Sequence, residues 1–535
     1  MIPFGRNGLI LHNGRVYTLD PARPRAGVLA AANGRIVYVG DDLEAARALA
    51  PHGAFCVDLD GKAVFPGCID SHMHLKVQGQ RLAEPDISGK AKEDILALVA
   101  KEAARLAPGE WIQCRGWNNE LWQDKSWPTR AELDAIAPQH PVALTRSDAH
   151  SMWVNSKTLE LAGINANTPD PQGGEIWRDA SGEASGILVD TPIFQVWAAI
   201  PPLTAQQTSQ AYADAQAELF SLGITSVGDA WQNPEDCEAL CAAAQSGLLR
   251  LRVYGMLASV GHDDVALSFK GLAPRVGLYD QRLSFAAYKV VLDGSIGSQS
   301  AWLSRDYKDR PGHSGTGRYD DQTLFAMAGE AAARGFQVCA HAIGDEAVEQ
   351  ALRLFARLPQ AQNGPAHRVE HFQIASLEQI ARAQKLGLVC AMQSIHCRAD
   401  WAMAEQRLAP ELLDRSYPWR DVLDAGLLLA NGSDSPMEDG NPFHGFAAAV
   451  LRPPFADAKG HLHSTAMSRE QALKSYTIWA AAAEGAQNIK GSLSVGKVAD
   501  CVVLDRDIMT CPDEDLENTL VLATFVGGEQ VFGSL

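Results

Sequence analysis

Through the middle of the chain, an Ala-rich amphipathic stretch repeatedly closes on a glycine and runs straight into a short β-branched, apolar segment. This happens five times: AELFSLG/ITSVGDA, AAAQSG/LLRLRVYGM, EAAARG/FQVCAHAIGD, ARAQKLG/LVCAMQS and DVLDAG/LLLANGSD. Glycine ends a helix well because it adopts the left-handed C′ conformation without Cβ strain. The short continuous apolar runs suit strands covered on both faces. Helix-to-strand units in series predict a parallel sheet with right-handed crossovers. Strands are predicted at 68–72, 224–229, 251–256, 286–293, 338–341, 368–371, 389–393 and 427–434. Eight is the number that closes a (β/α)8 barrel. An open doubly wound sheet is the competing arrangement, but no GxGxxG opens a helix after any of these segments.

The two ends follow another rhythm. LILHNGRVYT (9–18) and RIVYVG (35–40) gather β-branched residues around NGR turns, as hairpins do. VADCVVLDRD (498–507) and LATFVGGEQVFG (522–533) have the same character. Both ends together predict one small β-sandwich, with residues 1–65 supplying one part and 490–535 the other. Two separate β extensions are the alternative. The barrel then occupies 66–489. Its first connection is too long and too patterned for a bare loop, and contains GWNNELWQ, VALTRSDAHSMWVN and GGEIWRDASGEASGIL. It is expected to be an inserted subdomain, about 76–205, over the barrel mouth, where loops carry specificity.

Composition narrows the partners. The 46 Lys+Arg against 64 Asp+Glu leave a formal net charge of -18, which repels phosphate backbones and anionic membranes. No nucleic acid and no membrane is expected; the partner is a small-molecule substrate. Residues 1–13 lack the pattern of a secretory signal, and no apolar run is long enough to span a bilayer. The ten cysteines are scattered, without a CxxC pair, as in a reducing compartment. A cytoplasmic protein is expected, and a homodimer would be unsurprising.

The chemistry concentrates at predicted strand ends. In GCIDSHMHL, His72 and His74 share one face of a strand, because side chains alternate with period two. His341 ends QVCAH, His371 ends RVEH and Asp434 ends LLLANGSD, on strands five, six and eight. Barrel active sites gather at this rim. Any one of these residues is explained by packing or capping; four histidines and an aspartate arriving together point to a cation. Imidazole with carboxylate and no thiolate suits Zn2+ or another borderline divalent ion. In the insertion, Arg146, Asp148 and His150 form a polar cluster able to reach a ligand, with a loop's internal ion pair as the plain alternative. Trp117 is a candidate pocket wall, or core.

The order HxH, lysine, His, His, Asp on strands one, four, five, six and eight resembles the amidohydrolase superfamily. The phrases PGCIDSHMHL, RGWNNELW, RSDAHSMWVNS, GITSVGDA, KVVLDGSIGSQSAWL, HAIGDEAV, RVEHFQ and NGSDSP resemble its family 3 branch, which includes N-substituted formamide deformylases. GSLSVGKVADCVVLDRD is similar to the half of that family's composite sandwich that follows the barrel. The resemblance covers nearly the whole chain. It departs where Ser394, in MQSIHCRADW, stands at a position where proline is expected. The resemblance implies one or two metal ions, with Lys289 carrying CO2 as a bridging carbamate if there are two. It also implies hydrolysis of a non-peptide, amide-like carbon–nitrogen bond by metal-activated water, with Asp434 as general base. A deaminase, an esterase or a lyase/decarboxylase on the same barrel are the alternatives, as is a non-catalytic scaffold.

Overall fold

A computed structural model describes residues 8–258, 273–359, 364–452 and 465–535. Residues 1–7 of the N-terminal segment lie outside the described residues. The eight predicted strands form one parallel sheet, in chain order: Cys68–Met73, Ile224–Gln232, Arg252–Ala258, Leu283–Val291, Gln337–Ala342, Arg368–His371, Val389–Met392 and Leu428–Asn431. The glycines that punctuate the sequence all have positive φ: Gly223, Gly247, Gly335, Gly387 and Gly426. Each ends a helix and starts the turn into a strand, as expected of the C′ position.

The eighth strand returns to the first. The Asp434 backbone N–H donates to the His72 carbonyl at 2.7 Å, and the Ser71 hydroxyl donates to the Asn431 carbonyl at 2.7 Å. The approach is so close that a Cβ on Gly432 would lie 2.6 Å from the His72 nitrogen. The sheet is thus a nearly closed (β/α)8 barrel.

A mixed sheet of six strands joins both ends of the chain. Ala63–Pro66 lies between Arg15–Tyr17, to which it is parallel, and Cys501–Leu504, to which it is antiparallel. A second sheet, of four strands, is wholly N-terminal (Leu9–His12, Val28–Ala32, Arg35–Gly40, Phe55–Asp58). Leu11, Val57, Val64, Val503 and Phe525 bury one another between the two, making a composite sandwich. Of the two expected NGR hairpins, one forms. At 33–35 both Asn33 and Gly34 take positive φ, the geometry of a tight hairpin turn, and the flanking strands pair. At 13–15 only Asn13 does, and the chain crosses from one sheet to the other instead.

The sandwich seats against the N-terminal ends of the barrel strands. Arg252, opening the third strand, makes a two-pronged ion pair with Asp500 at 2.6 and 2.9 Å, and Thr524 donates to the Phe220 carbonyl at 2.7 Å. The stretch after the first strand builds a five-stranded sheet of its own: Ile112–Trp117, Val142–Arg146, Ser151–Val154, Gly174–Arg178 and Ala184–Asp190. Its core holds Trp117, Trp122, Leu144 and Trp153. It reaches the barrel through Asp148, which accepts from the Ser295 hydroxyl at 2.9 Å, and through an ion pair between Asp190 and Arg318.

Candidate metal centre

His72 lies inside the first strand and His74 one residue past its end, at the N-cap of helix Leu75–Ala83. Their rings are 5.8 Å apart. Asp434 lies beyond the eighth strand, which ends at Asn431 rather than running on to 434 as expected. The backbone turns there because Asp434 has φ 61° and spends its N–H on His72. Asp70, one inward position before His72, accepts from the Ser433 N–H at 3.0 Å and from the Ser433 hydroxyl at 2.5 Å, holding that turn in place. Burial pushes the Asp70 carboxyl up to about 7, against these hydrogen bonds.

The Asp434 carboxylate accepts from His74 Nε2 at 3.1 Å and lies 3.5 Å from His72 Nε2. Donor atoms of His72, His74 and Asp434 all fall within 4.8 Å of one another. The other predicted ligands close in around them. His371 is 4.9 Å from His72 and 4.4 Å from His341 between ring centroids, and Lys289 Nζ is 3.3 Å from His72 Nε2. Burial would raise the Asp434 carboxyl, but the His74 hydrogen bond and the surrounding imidazoles outweigh it and hold the group well below the usual range. Burial drives His72 down to about 4 and His371 well below its ordinary value, which favours the neutral imidazole that binds a metal. Burial also lowers the Lys289 ammonium. Neutral imidazoles, a carboxylate and an amine converging on one point are a donor set suited to a divalent cation.

Three of the four imidazoles, His72, His341 and His371, have a further partner around the ring. His72 Nδ1 meets Glu370 Oε2 at 2.6 Å, and His371 Nδ1 meets Gln393 Oε1 at 2.8 Å. His341 Nε2 lies 3.4 Å from Asp293 Oδ1 and 3.3 Å from the Gly294 carbonyl. Such contacts fix tautomer and ring orientation. Arg368 donates to both Glu370 oxygens, at 2.8 and 2.9 Å. Burial would raise the Glu370 carboxyl; Arg368 and His72 more than reverse that, keeping it ionised. Glu370, Gln393 and Asp293 are not among the candidates of the sequence reading; their sole local cue is a place in or just past a strand end.

The insertion residues divide. Trp117 has no exposed surface, and its indole N–H donates to the Leu144 carbonyl at 2.8 Å. It is core, not pocket wall, because Trp122, Trp127 and Trp153 surround it. Arg146 is also buried, paired to Asp148 at 2.8 Å and to Asn118 at 3.0 Å, so it positions Asp148 rather than facing the mouth. His150 does reach the centre: its ring is 5.5 Å from His341, and its Nδ1 meets Asp190 at 2.6 Å. Burial would lower His150, but Asp190 raises it on balance. Ser394 also finds its reason. Its N–H and hydroxyl both donate to Asn431 Oδ1, at 3.1 and 2.8 Å, tying strand seven to strand eight with a donor that proline lacks.

A nearly closed barrel with a His/Asp centre at its C-terminal rim defines the class of metal-dependent barrel hydrolases. The model of the amidohydrolase family matches residues 56–532, and the chain belongs to that family. The chain is similar to the protein LONG AFTER FAR-RED 3 of Arabidopsis thaliana, at 32% identity over 98% of this chain and 91% of that one. It is 27% identical to an N-substituted formamide deformylase of Arthrobacter pascens over 97% of each. Among solved structures, a metal-dependent hydrolase of Pyrococcus horikoshii OT3 matches with a TM-score of 0.77 at 28% identity, over 95% of this chain and 99% of that one. Among the described residues, no helix is long and apolar enough to cross a membrane.

Proposed function

We propose that this protein hydrolyses a non-peptide, amide-like carbon–nitrogen bond of a small molecule, using one or two divalent ions, zinc foremost. The observation that carries this reading is the convergence of His72, His74 and Asp434 within 4.8 Å at the barrel mouth. The kinship with an N-substituted formamide deformylase supports the choice of bond. His72, His74, His341, His371 and Asp434 would hold the metal. When bound, it supplies Lewis acidity, which polarises a carbonyl and brings the acidity of water near neutral pH.

The chain's own groups do the rest. Asp434, kept ionised by its imidazole neighbours, takes a proton on a carboxylate oxygen from the attacking water and delivers it to the leaving nitrogen. Glu370 and Gln393 keep the His72 and His371 rings in place throughout. Lys289 has the burial that favours a neutral amine. With two ions, that amine would add to CO2, the N–C bond forming as one C=O π bond opens onto oxygen and a proton leaves, and the carbamate would join the residues that hold them.

The test uses zinc-loaded protein against N-formyl amines, N-acyl amino acids and aryl esters. Asp434→Asn is expected to keep its fold and some metal while losing roughly 10²-fold or more of turnover. Near-normal turnover would remove Asp434 from the role. Metal analysis with native intact mass counts the ions and the added CO2. Activity confined to esters or to ring amines would move the protein to the esterase or deaminase reading.

A further inference from the structure

The metal centre is enclosed. His72, His341, His371 and Asp434 are each no more than 9% exposed, too little for a substrate to reach them past a fixed surround. Part of the cover is the insertion, whose His150 ring stands 5.5 Å from that of His341. The insertion is held differently from the sandwich. Phe65, Val502 and Leu504 of the sandwich belong to the same buried cluster as Phe220 and Ile224 of the barrel. The insertion keeps its apolar groups to itself, one cluster around Trp117, Trp153 and Val189 and another around Leu188 and Ile193. Among the described residues, no buried apolar cluster takes side chains from both the insertion and the barrel. Phe194, stacked on Trp231 at 6.2 Å, gives the seam an aromatic contact.

Polar pairs bridge the seam: Asp148 with Ser295, Asp190 with Arg318, Glu175 with Arg310 at 3.1 Å and Glu120 with Arg407 at 2.5 Å. Beside them a cleft of about 780 Å³ opens between Trp127 and Trp177 of the insertion and Gln299 and Asp309 of the barrel. Polar groups that part take water as their new partner at small net cost, whereas parted apolar faces are both exposed to it. A polar, incompletely packed seam between two separate cores permits them to move relative to each other. The connections suit such a motion. Residues 84–204 lie between helix Leu75–Ala83 and helix Ala205–Ser221. These helices pack so closely that a Cβ on Gly79 would fall 1.9 Å from the Ala211 carbonyl oxygen. The entry joins the insertion's core by Ile87, and the exit passes the exposed Pro201 and Pro202. Two short connections leaving one packed helix pair make a hinge.

We propose that residues 84–204 form a lid that swings about these two connections, opening the barrel mouth and, on closing, seating His150 beside His341. That the molecule admitted is there to be hydrolysed rests on the reading above; the motion itself does not.

Glu175→Cys with Arg310→Cys puts one thiol on each side of the seam, at a pair whose side chains are 32% and 37% exposed. A bismaleimide with a disulfide in its linker staples the two, and a thiol reductant, then removed, cuts the staple. In the metal-free full chain, the rate at which diethyl pyrocarbonate modifies His341 and His371, followed by peptide mass spectrometry, reports opening without metal or turnover. Stapling is expected to slow that modification about tenfold or more, and cutting to restore it. Each single variant should react at one rate with and without the bismaleimide, which sets aside the native cysteines. Arg310→Gln alone removes one latch and should speed modification over wild type by about twofold to fivefold, the worth of a half-exposed ion pair. Equal rates before and after cutting would overturn the lid. Zinc-loaded, stapled protein should also lose turnover of N-formyl amines. If no formamide is cleaved but stapling still shields the imidazoles, the lid stands and the proposed reaction fails. If formamides are cleaved equally with and without the staple and the imidazoles are not shielded, the reaction stands and the lid falls.

Discussion

The two ends of the barrel bury charge in opposite ways. At the end that meets the sandwich, Arg252 and Asp500 are almost fully enclosed, and two hydrogen bonds satisfy the pair. At the mouth, burial pushes His72, His341 and His371 below their ordinary range, and the buried His396 Nε2 has no hydrogen-bond partner among the described residues. A matched buried pair is inert because nothing is left to satisfy. An unmatched group keeps binding energy in reserve for a ligand. The same fold thus separates a structural end from a chemical one, with the core of the barrel between them.

The comparison can be broken first at the structural end. Arg252→Met leaves Asp500 buried without its partner and should cost about 3–5 kcal/mol in denaturant unfolding. Metal content and kcat of the folded fraction should stay as in wild type; a change in either would show that the two ends are coupled. At the chemical end, Glu370→Gln keeps the shape but weakens the acceptor for His72 Nδ1. Zinc affinity, measured by competition with a chelator, is expected to fall about 10–100-fold. Unaltered affinity would mean that packing alone orients His72.

The smallest effect lies where the insertion docks. The Asp190 carboxyl is held down at about 2: burial would raise it, but Arg318 and His150 outweigh burial. A carboxyl whose folded value lies below its unfolded one adds stability above the unfolded value, and that stability is lost as pH falls through the folded value. Unfolding followed between pH 4 and 2 should therefore show an acid-limb loss that Asp190→Asn lacks. His150 has the opposite sign. Its folded value is raised, so its contribution is present in acid and disappears as pH rises through that value.

Much of this molecule was legible because helix ends and strand runs are local events. Gly223, Gly247, Gly335, Gly387 and Gly426 each announce a turn that one residue type makes cheaply, and the five strands that follow stand where the pattern put them. Period-two alternation likewise put His72 and His74 on one face before any partner was known. The failures share a cause too. The first NGR reads like the second, yet what separates hairpin from crossover is whether the glycine takes positive φ, and the sheets on either side decide that. Trp117 reads the same as core or as wall until its three tryptophan neighbours are in place.

By itself, the sequence determined which elements form, in what order, and that histidines and an aspartate stand at strand ends, since these depend on side-chain chemistry within a few residues. Tertiary structure alone decided which of those groups touch. Glu370 behind His72, Gln393 behind His371, and His396 aimed at Asp434 join segments 298, 22 and 38 residues apart. Such contacts exist only after the barrel closes, because closure brings distant strand ends to one rim and removes the water that would otherwise screen them.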